Sequence, residues 1–217
     1  MARELPNSTV VALDDVAEEL RRRLATVDST EQSELGPWLE QLLVDHPEKV
    51  ALVLAPGGTI EGDLVLEEEA IAGDGRPVAA VVTWGNLSIT GRLLNEDEDF
   101  GPFLIVGGHL KVGDVAKSAA PVIILGDIEA AGVILCDGDN GILHAGGAIR
   151  CNALIDNDHD VFAGRGISGR VASEEYGNLR ELLVPDVFED PDDPEDEWPD
   201  GALIRQRILG NQPLFKD

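Results

Sequence analysis

Aromatic residues make up only 4 % of this 217-residue sequence, which holds two cysteines, a single methionine, and 16 basic residues against 42 acidic ones. So few aromatics imply a core of Val, Ile, Leu and Ala, side chains that suit closely spaced sheets. The shortage of basic residues leaves a formal net charge of −26. Such a surface repels nucleic-acid phosphates and anionic membranes and attracts basic proteins or divalent cations. Direct binding to nucleic acid or membrane is therefore not expected. No run reaches the length of an apolar membrane span, and the opening Met-Ala-Arg-Glu-Leu-Pro lacks a basic segment followed by an apolar one, so a cytoplasmic location is expected. Cys136 and Cys151 each lie beside an apolar segment, which predicts buried thiols rather than a disulfide.

The hydrophobic share, 43 %, is that of a globular chain, and its pattern divides the sequence into three. Residues 1–56 open with Leu13, Val16, Ala17, Leu20, Leu24 and Val27 on one helical stripe, with Asp14 and Asp15 early and Arg21, Arg22 and Arg23 late, the charge order a helix dipole favours. A second short helix is expected around Trp38, Leu39, Leu42 and Leu43, then a strand from Val50 to Ala55. These helices are expected to cap one end of the region that begins at residue 57.

Residues 57–171 carry a degenerate repeat of Gly, any residue, aliphatic, set in alternating apolar stretches. Its copies are Gly62-Asp63-Leu64, Gly85-Asn86-Leu87, Gly108-His109-Leu110, Gly126-Asp127-Ile128, Gly147-Ala148-Ile149 and a last one ending at Ile167. The aliphatic positions step by 23, 23, 18, 21 and 18 residues, the amount of chain in one coil of a parallel β-helix. Glycine serves a corner through positive φ or close backbone approach, and alternation sends every second side chain inward. The fold expected is mainly β: a single-stranded, right-handed parallel β-helix of about six rungs with an N-terminal helical cap and a short C-terminal helix. An antiparallel sandwich would account for the glycines but not for their recurrence at one place in each string. A hexapeptide left-handed helix lacks its six-residue aliphatic period.

Residues 172–217 hold 4 basic and 13 acidic groups, nine of the acids in the stretch PDVFEDPDDPEDEWPD, which has four prolines. Repulsion and fixed φ predict an extended loop there, followed by a short helix over ALIRQRIL. The segment from Tyr176 to Val184 is expected to cover the last rung. Trp198 and Phe188 are the apolar residues available for docking in this stretch.

No nucleophile elbow, phosphate-binding loop or zinc-protease motif is present. His109, His144 and His159 are the residues to test for a metal, but their separations match no local coil, and His46 suits a helix terminus. Asp137-Gly138-Asp139-Asn140-Gly141 and Asp156-Asn157-Asp158-His159-Asp160 cluster oxygen donors, yet lack the glycine and bidentate acid of an EF-hand. No catalytic residue, cofactor or metal is assigned. The acids themselves are the stronger signal. Glu67 to Glu69, Glu96, Asp97, Glu98 and Asp99, Asp114, Asp137 with Asp139, and Asp156 with Asp158 and Asp160 all follow their rung's outgoing strand. They should gather along one edge. Rungs stack about 4.8 Å apart, where like charges repel by about 1 kcal/mol per pair even in water. That concentration points to a cationic partner, with those acids and Trp198 as the contact residues.

The run from Gly57 to Val171 resembles bacterial bactofilin-like (polymer-forming) β-solenoids, and the chain is also similar, especially in FGPFLIVGGHLKVGD, VIILGDIEAAGVI and NLRELLVPDVF, to uncharacterised bacterial solenoids found near polymorphic-toxin genes. The resemblance names no catalytic residue. Together with the charge it implies a non-enzymatic binding protein, an immunity protein that occludes a basic toxin domain. The alternatives are a bactofilin-like cytoskeletal scaffold, which covered ends oppose, and an acidic nucleic-acid mimic.

Overall fold

The computed structural model describes residues 4–25, 35–38, 40, 42, 48–67, 69–71, 74–99, 101–138, 141–173, 175–191 and 198–216. The chain forms a parallel β-solenoid whose coils enclose one apolar stack. Strand β1 (Ser8–Ala12) and helix α1 (Leu13–Leu24) precede it. The first level is β2 (Val50–Leu54), β3 (Gly58–Ile60) and β4 (Leu64–Val65). The second is β5 (Val78–Thr83), β6 (Leu87–Ile89) and β7 (Leu93–Leu94), and the third β8 (Phe103–Val106), β9 (Leu110–Val112) and β10 (Val115–Lys117). The fourth is β11 (Val122–Ile124), β12 (Ile128–Ala130) and β13 (Val133–Asp137). In the fifth, β14 (Ile142–Ala145) is followed by the long β15 (Ile149–Asn157), which runs through two faces, and in the sixth β16 (Asp160–Ala163) is followed by β17 (Ile167–Ser173).

The first face is the sheet β1-β2-β5-β8-β11-β14-β16, parallel except for β1. The second stacks β3, β6, β9 and β12 onto the start of β15, and the third stacks β4, β7, β10 and β13 onto its remainder. Six strand levels are thus joined by five complete turns between β2 and β16, against the expected six rungs. Leu52, Leu104 and Leu143 from the first face meet Leu87 and Ile128 from the second and Leu93 and Ile134 from the third in the interior. Each such side chain contributes about 2 kcal/mol relative to exposure.

Five of the six glycine marks share one column. Gly108 N–H donates to Gly85 O, Gly126 N–H to Gly108 O, Gly147 N–H to Gly126 O, and Arg165 N–H to Gly147 O, at 2.9 to 3.0 Å. Close approach rather than positive φ imposes glycine here, since a Cβ on Gly126 would lie 2.6 Å from Gly108 O. The sixth mark is displaced. Leu64 pairs with Leu93, and Gly58 is the residue under Leu87, so Gly62-Asp63-Leu64 belongs to the next corner. The first coil also carries an insertion between β4 and β5, which brings the spacing of the wrong pair of leucines close to one repeat.

The flanking segments lie along the sides rather than across the ends. Leu13, Val16, Ala17, Leu20 and Leu24 of α1, with Leu35 and Leu42, pack on Ala51, Ala80, Val82, Ile105 and Ile123, the outward side of the first face. Residues 38, 40 and 42 are helical as expected, and the helix also takes in 35–37, ahead of the expected start at Trp38, while Val27, Leu39 and Leu43 lie outside the described residues. The first level is closed by β1, for which the sequence carries no clear signal, and by Leu5, which joins the core with Ile71. At the other terminus α2 (Leu179–Leu182), a 3-10 turn (Pro185–Val187) and α3 (Gly201–Leu209) cover the outward side of the third face, where Leu183, Phe188, Ile204 and Ile208 meet Ala116, Leu135, Ile155 and Ala172. The stretch from Tyr176 to Val184 therefore does not roof the last coil: a flank offers a whole column of outward apolar side chains, an end only one strand's worth. Cys136 is buried, Cys151 half-buried, and both are free. Among the described residues no helix is long and apolar enough to cross a membrane.

Candidate functional site: an acidic corner crossed by a buried lysine

The third corner, where each coil leaves the third face for the first, gathers most of the expected acids. Glu96, Asp97, Glu98 and Asp99 are exposed at its second level, and Asp158 and Asp160 are exposed at its upper end. Asp137 and Asp156 stand between them but are half-buried and engaged within the chain. Asp137 accepts a hydrogen bond from Asn157 Nδ2 (2.8 Å), and Asp156 accepts from His159 N (3.2 Å) and Ser173 Oγ (3.4 Å). Glu68, Asp139 and His46 lie outside the described residues. Trp198 is 48 % exposed and precedes Pro199, whose carbonyl accepts from Asn157 Nδ2 at 3.4 Å, so it sits beside the upper acids.

Two expectations fail. Asp114 stands at the second corner, where Oδ1 accepts from Val133 N (2.8 Å); it ends β9's turn, not β10, because the glycine before it marks that other corner. Phe188 is 2 % exposed beneath the Arg180 guanidinium, 4.4 Å from its ring, and is core rather than contact surface.

The lower loop is held in shape from below. Glu67 Oε1 accepts from Glu96 N (2.6 Å), Asp97 N (3.3 Å) and Asn95 Nδ2 (3.1 Å), and Asp97 Oδ1 accepts from Asp99 N (2.9 Å). Asn95, fully buried, accepts in turn from Ser118 N and Ala120 N. The carboxylates of this loop are thus presented on a fixed backbone.

Lys117 breaks the acidic series at the third level. It pairs in register with Cys136, its side chain is fully buried, and its amine donates to Ser118 O (2.7 Å) and meets His159 Nε2 (2.5 Å). His159 Nδ1 lies 2.7 Å from Gly138 O, which can only accept. That contact puts the ring proton on Nδ1, so Nε2 accepts from Lys117. Burial lowers the Lys117 pKa to about 8, and burial together with the Lys117 charge lowers that of His159 to about 3. Burial also raises the Cys136 thiol to about 12. A second cation arrives from α3. Arg205, almost buried, donates to Ser118 Oγ (2.8 Å) and Asn95 O (3.4 Å) and stands 3.9 Å from Asp137 Oδ2. Neither Lys117 nor Arg205 stands out in the sequence. The available signal was alternation, which puts Lys117 two residues after inward Val115, on the inward side of β10.

The expected histidine and carboxylate alternatives do not converge. His109 is on the first corner, His144 stacks on Phe162 on the first face (4.6 Å between centroids), and His159 is at the third corner. Among the described residues no group of three His, Cys, Asp or Glu side chains is placed to hold a metal ion.

On the second face and the corners that flank it, which no described helix covers, charges are paired: Lys111 with Glu129 on the face and Arg92 with Asp63 at the second corner, each at 3.8 Å, and Arg150 with Asp127 of the first corner at 2.9 Å. Asp127 also accepts from Ala148 N (2.9 Å) and contacts Arg165. These partners hold its carboxyl well below the ordinary carboxylate range. Asp127→Asn is accordingly expected to lower stability at neutral pH, with the loss disappearing as acid protonates the wild-type carboxyl. Denaturation midpoints that stay equally far apart down to acid pH would contradict this. No family model, curated protein or solved structure matches the chain.

Proposed function

We propose that the protein is a non-enzymatic binding protein that neutralises a basic bacterial toxin domain by docking on the third corner and covering it. The observation that carries this reading is the fixed row of exposed carboxylates Glu96, Asp97, Glu98 and Asp99, aligned with exposed Asp158 and Asp160 on one corner of a rigid solenoid. Charge of one sign on a preorganised surface accelerates encounter with a cationic partner and costs no ordering on binding. Trp198 supplies the exposed aromatic next to the upper acids, the type of side chain that anchors such interfaces.

The test is affinity capture with the wild-type chain and with Glu96→Lys, Asp97→Lys, Glu98→Lys, Asp99→Lys combined, followed by coexpression with whatever basic protein is retained. The expected result is a partner held by the wild type, lost by the variant and released by salt, whose toxicity the wild-type chain suppresses. Equal retention by both chains would reject the corner, and a retained partner that is harmless alone would reject neutralisation.

A further inference from the structure

The two ends of the solenoid are unlike. At the first level β1 pairs with β2 and Leu5 closes the interior. At the last, Asn178 finishes the third face, its Nδ2 donating to Val171 O (3.2 Å) and its Oδ1 accepting from Ser173 N (2.9 Å). Among the described residues no strand pairs with the outer edge of β16, and residues 167–170 pair with β15 alone, leaving their outer edge open as well. These residues are half-buried to exposed, and Ile167 is 37 % exposed. An edge of this kind is a template for another strand.

The sequence of this coil selects the strand that fits. From 161 to 173 there is no carboxylate, and Arg165 and Arg170 are the charged residues, in a chain of net charge −26. Here two copies can meet without opposing their acids. Asp158 and Asp160 stand at the start of β16 and Arg165 just beyond its end. Antiparallel pairing of β16 with itself lays the acidic end of each copy beside the basic end of the other. Two-fold symmetry makes that contact twice, and cross-strand opposite charges stabilise such pairs. Arg165 keeps its contact with Asp127 and still leaves 64 % of its side chain exposed for this. An isologous contact of this kind uses the single last-coil edge of each copy, so it closes at two.

We propose that the last coil is the interface of a closed two-fold dimer in which β16 pairs antiparallel with β16 of a second copy of this chain. Sedimentation velocity of the full chain tests it against the monomer mass of 23.2 kDa. The expected result is a dimer whose dissociation constant rises roughly tenfold or more in Asp160→Arg, as two attractive contacts become repulsive. Arg165→Glu, in which Arg150 still holds Asp127, is expected to weaken it similarly. A mixture of the two variants should dimerise like the wild type, because every contact across that interface again joins opposite charges. Circular dichroism confirms that each variant is folded. A wild-type chain that stays monomeric as concentration rises would overturn the proposal. So would a dimer indifferent to Asp160→Arg, a mixture that fails to recover, or assemblies larger than two.

Discussion

Lys117→Met is expected to raise the unfolding free energy at neutral pH by about 2 kcal/mol, the usual gain when an ionised side chain inside a protein gives way to an apolar one of similar shape. In the wild type the amine is fully buried and its two named partners, Ser118 O and His159 Nε2, are neutral. Neither repays the loss of water around a full charge. Burial sets the Lys117 pKa at about 8, below the ordinary 10.5. Across that interval the unfolded chain binds more protons than the folded one, so stability rises with pH, by about 1 kcal/mol between about pH 7 and 9. Cys136 acts in the opposite sense above that range. Its pKa is raised from 9.0 to about 12, so the folded chain keeps a proton that the unfolded chain releases, and stability falls. Cys151, half-buried and raised to about 11, adds to the fall, so above about pH 9 the two thiols outweigh the amine and the contribution of these groups to stability is greatest near that pH; Lys117→Met loses the rising limb while keeping the fall. Urea titrations at stepped pH read both. A variant less stable than wild type at neutral pH, or one that keeps the rise, would show that the amine is better solvated than its burial implies.

Gly141→Ala is expected to destabilise the chain by about 3 kcal/mol, at the upper end for an overpacked interior site. A Cβ there would lie 2.6 Å from Ser118 O, 2.6 Å from His159 Cε1 and 2.9 Å from Lys117 Nζ. The first of these is backbone, and the other two are committed to each other, so nothing nearby yields without breaking the Lys117 contact. Gly138, three residues earlier, is the control. Its φ is +88° and a Cβ would meet nothing within 4 Å, so Gly138→Ala carries conformational strain alone, about 1 kcal/mol. Thermal or urea unfolding of the two variants separates crowding from strain. Equal losses would mean that the Lys117–His159 contact is looser than the distances indicate.

Both results bear on how the acidic corner is presented. The lower carboxylates ride on a loop fixed by Glu67 and Asn95, and the upper ones on loops tied through His159, Gly138 and Lys117. A buried lysine that lowers stability and yet bridges three levels is best understood as holding the corner's loops in place. Arg205 does the same from outside and couples α3 to the corner. Weakening either contact is expected to loosen the surface on which the proposed partner docks.

Local pattern in the amino-acid sequence was enough to specify the solenoid. Alternation of apolar residues sets which side chains enter the stack, and glycine recurs where neighbouring turns of backbone touch, both consequences of local geometry repeated at each level. The same kind of signal placed the start of α1 and the whole of β2 and α3 within a residue, since the stripe, the alternation and the flanking Gly and Pro that mark them are local. Register was beyond it where corner lengths vary, which is why Leu64 and Asp114 were assigned to the wrong corners: Gly-x-aliphatic and Gly-Asp strings look alike at the first corner and the second. What covers what was settled only in three dimensions. That the helices lie on two flanks, that Lys117 and Arg205 enter the acidic corner, and that no described strand pairs with the outer edge of the last coil all depend on contacts between residues far apart in the chain. Such contacts are chosen by the total apolar area buried and the polar groups satisfied, quantities that no local pattern records.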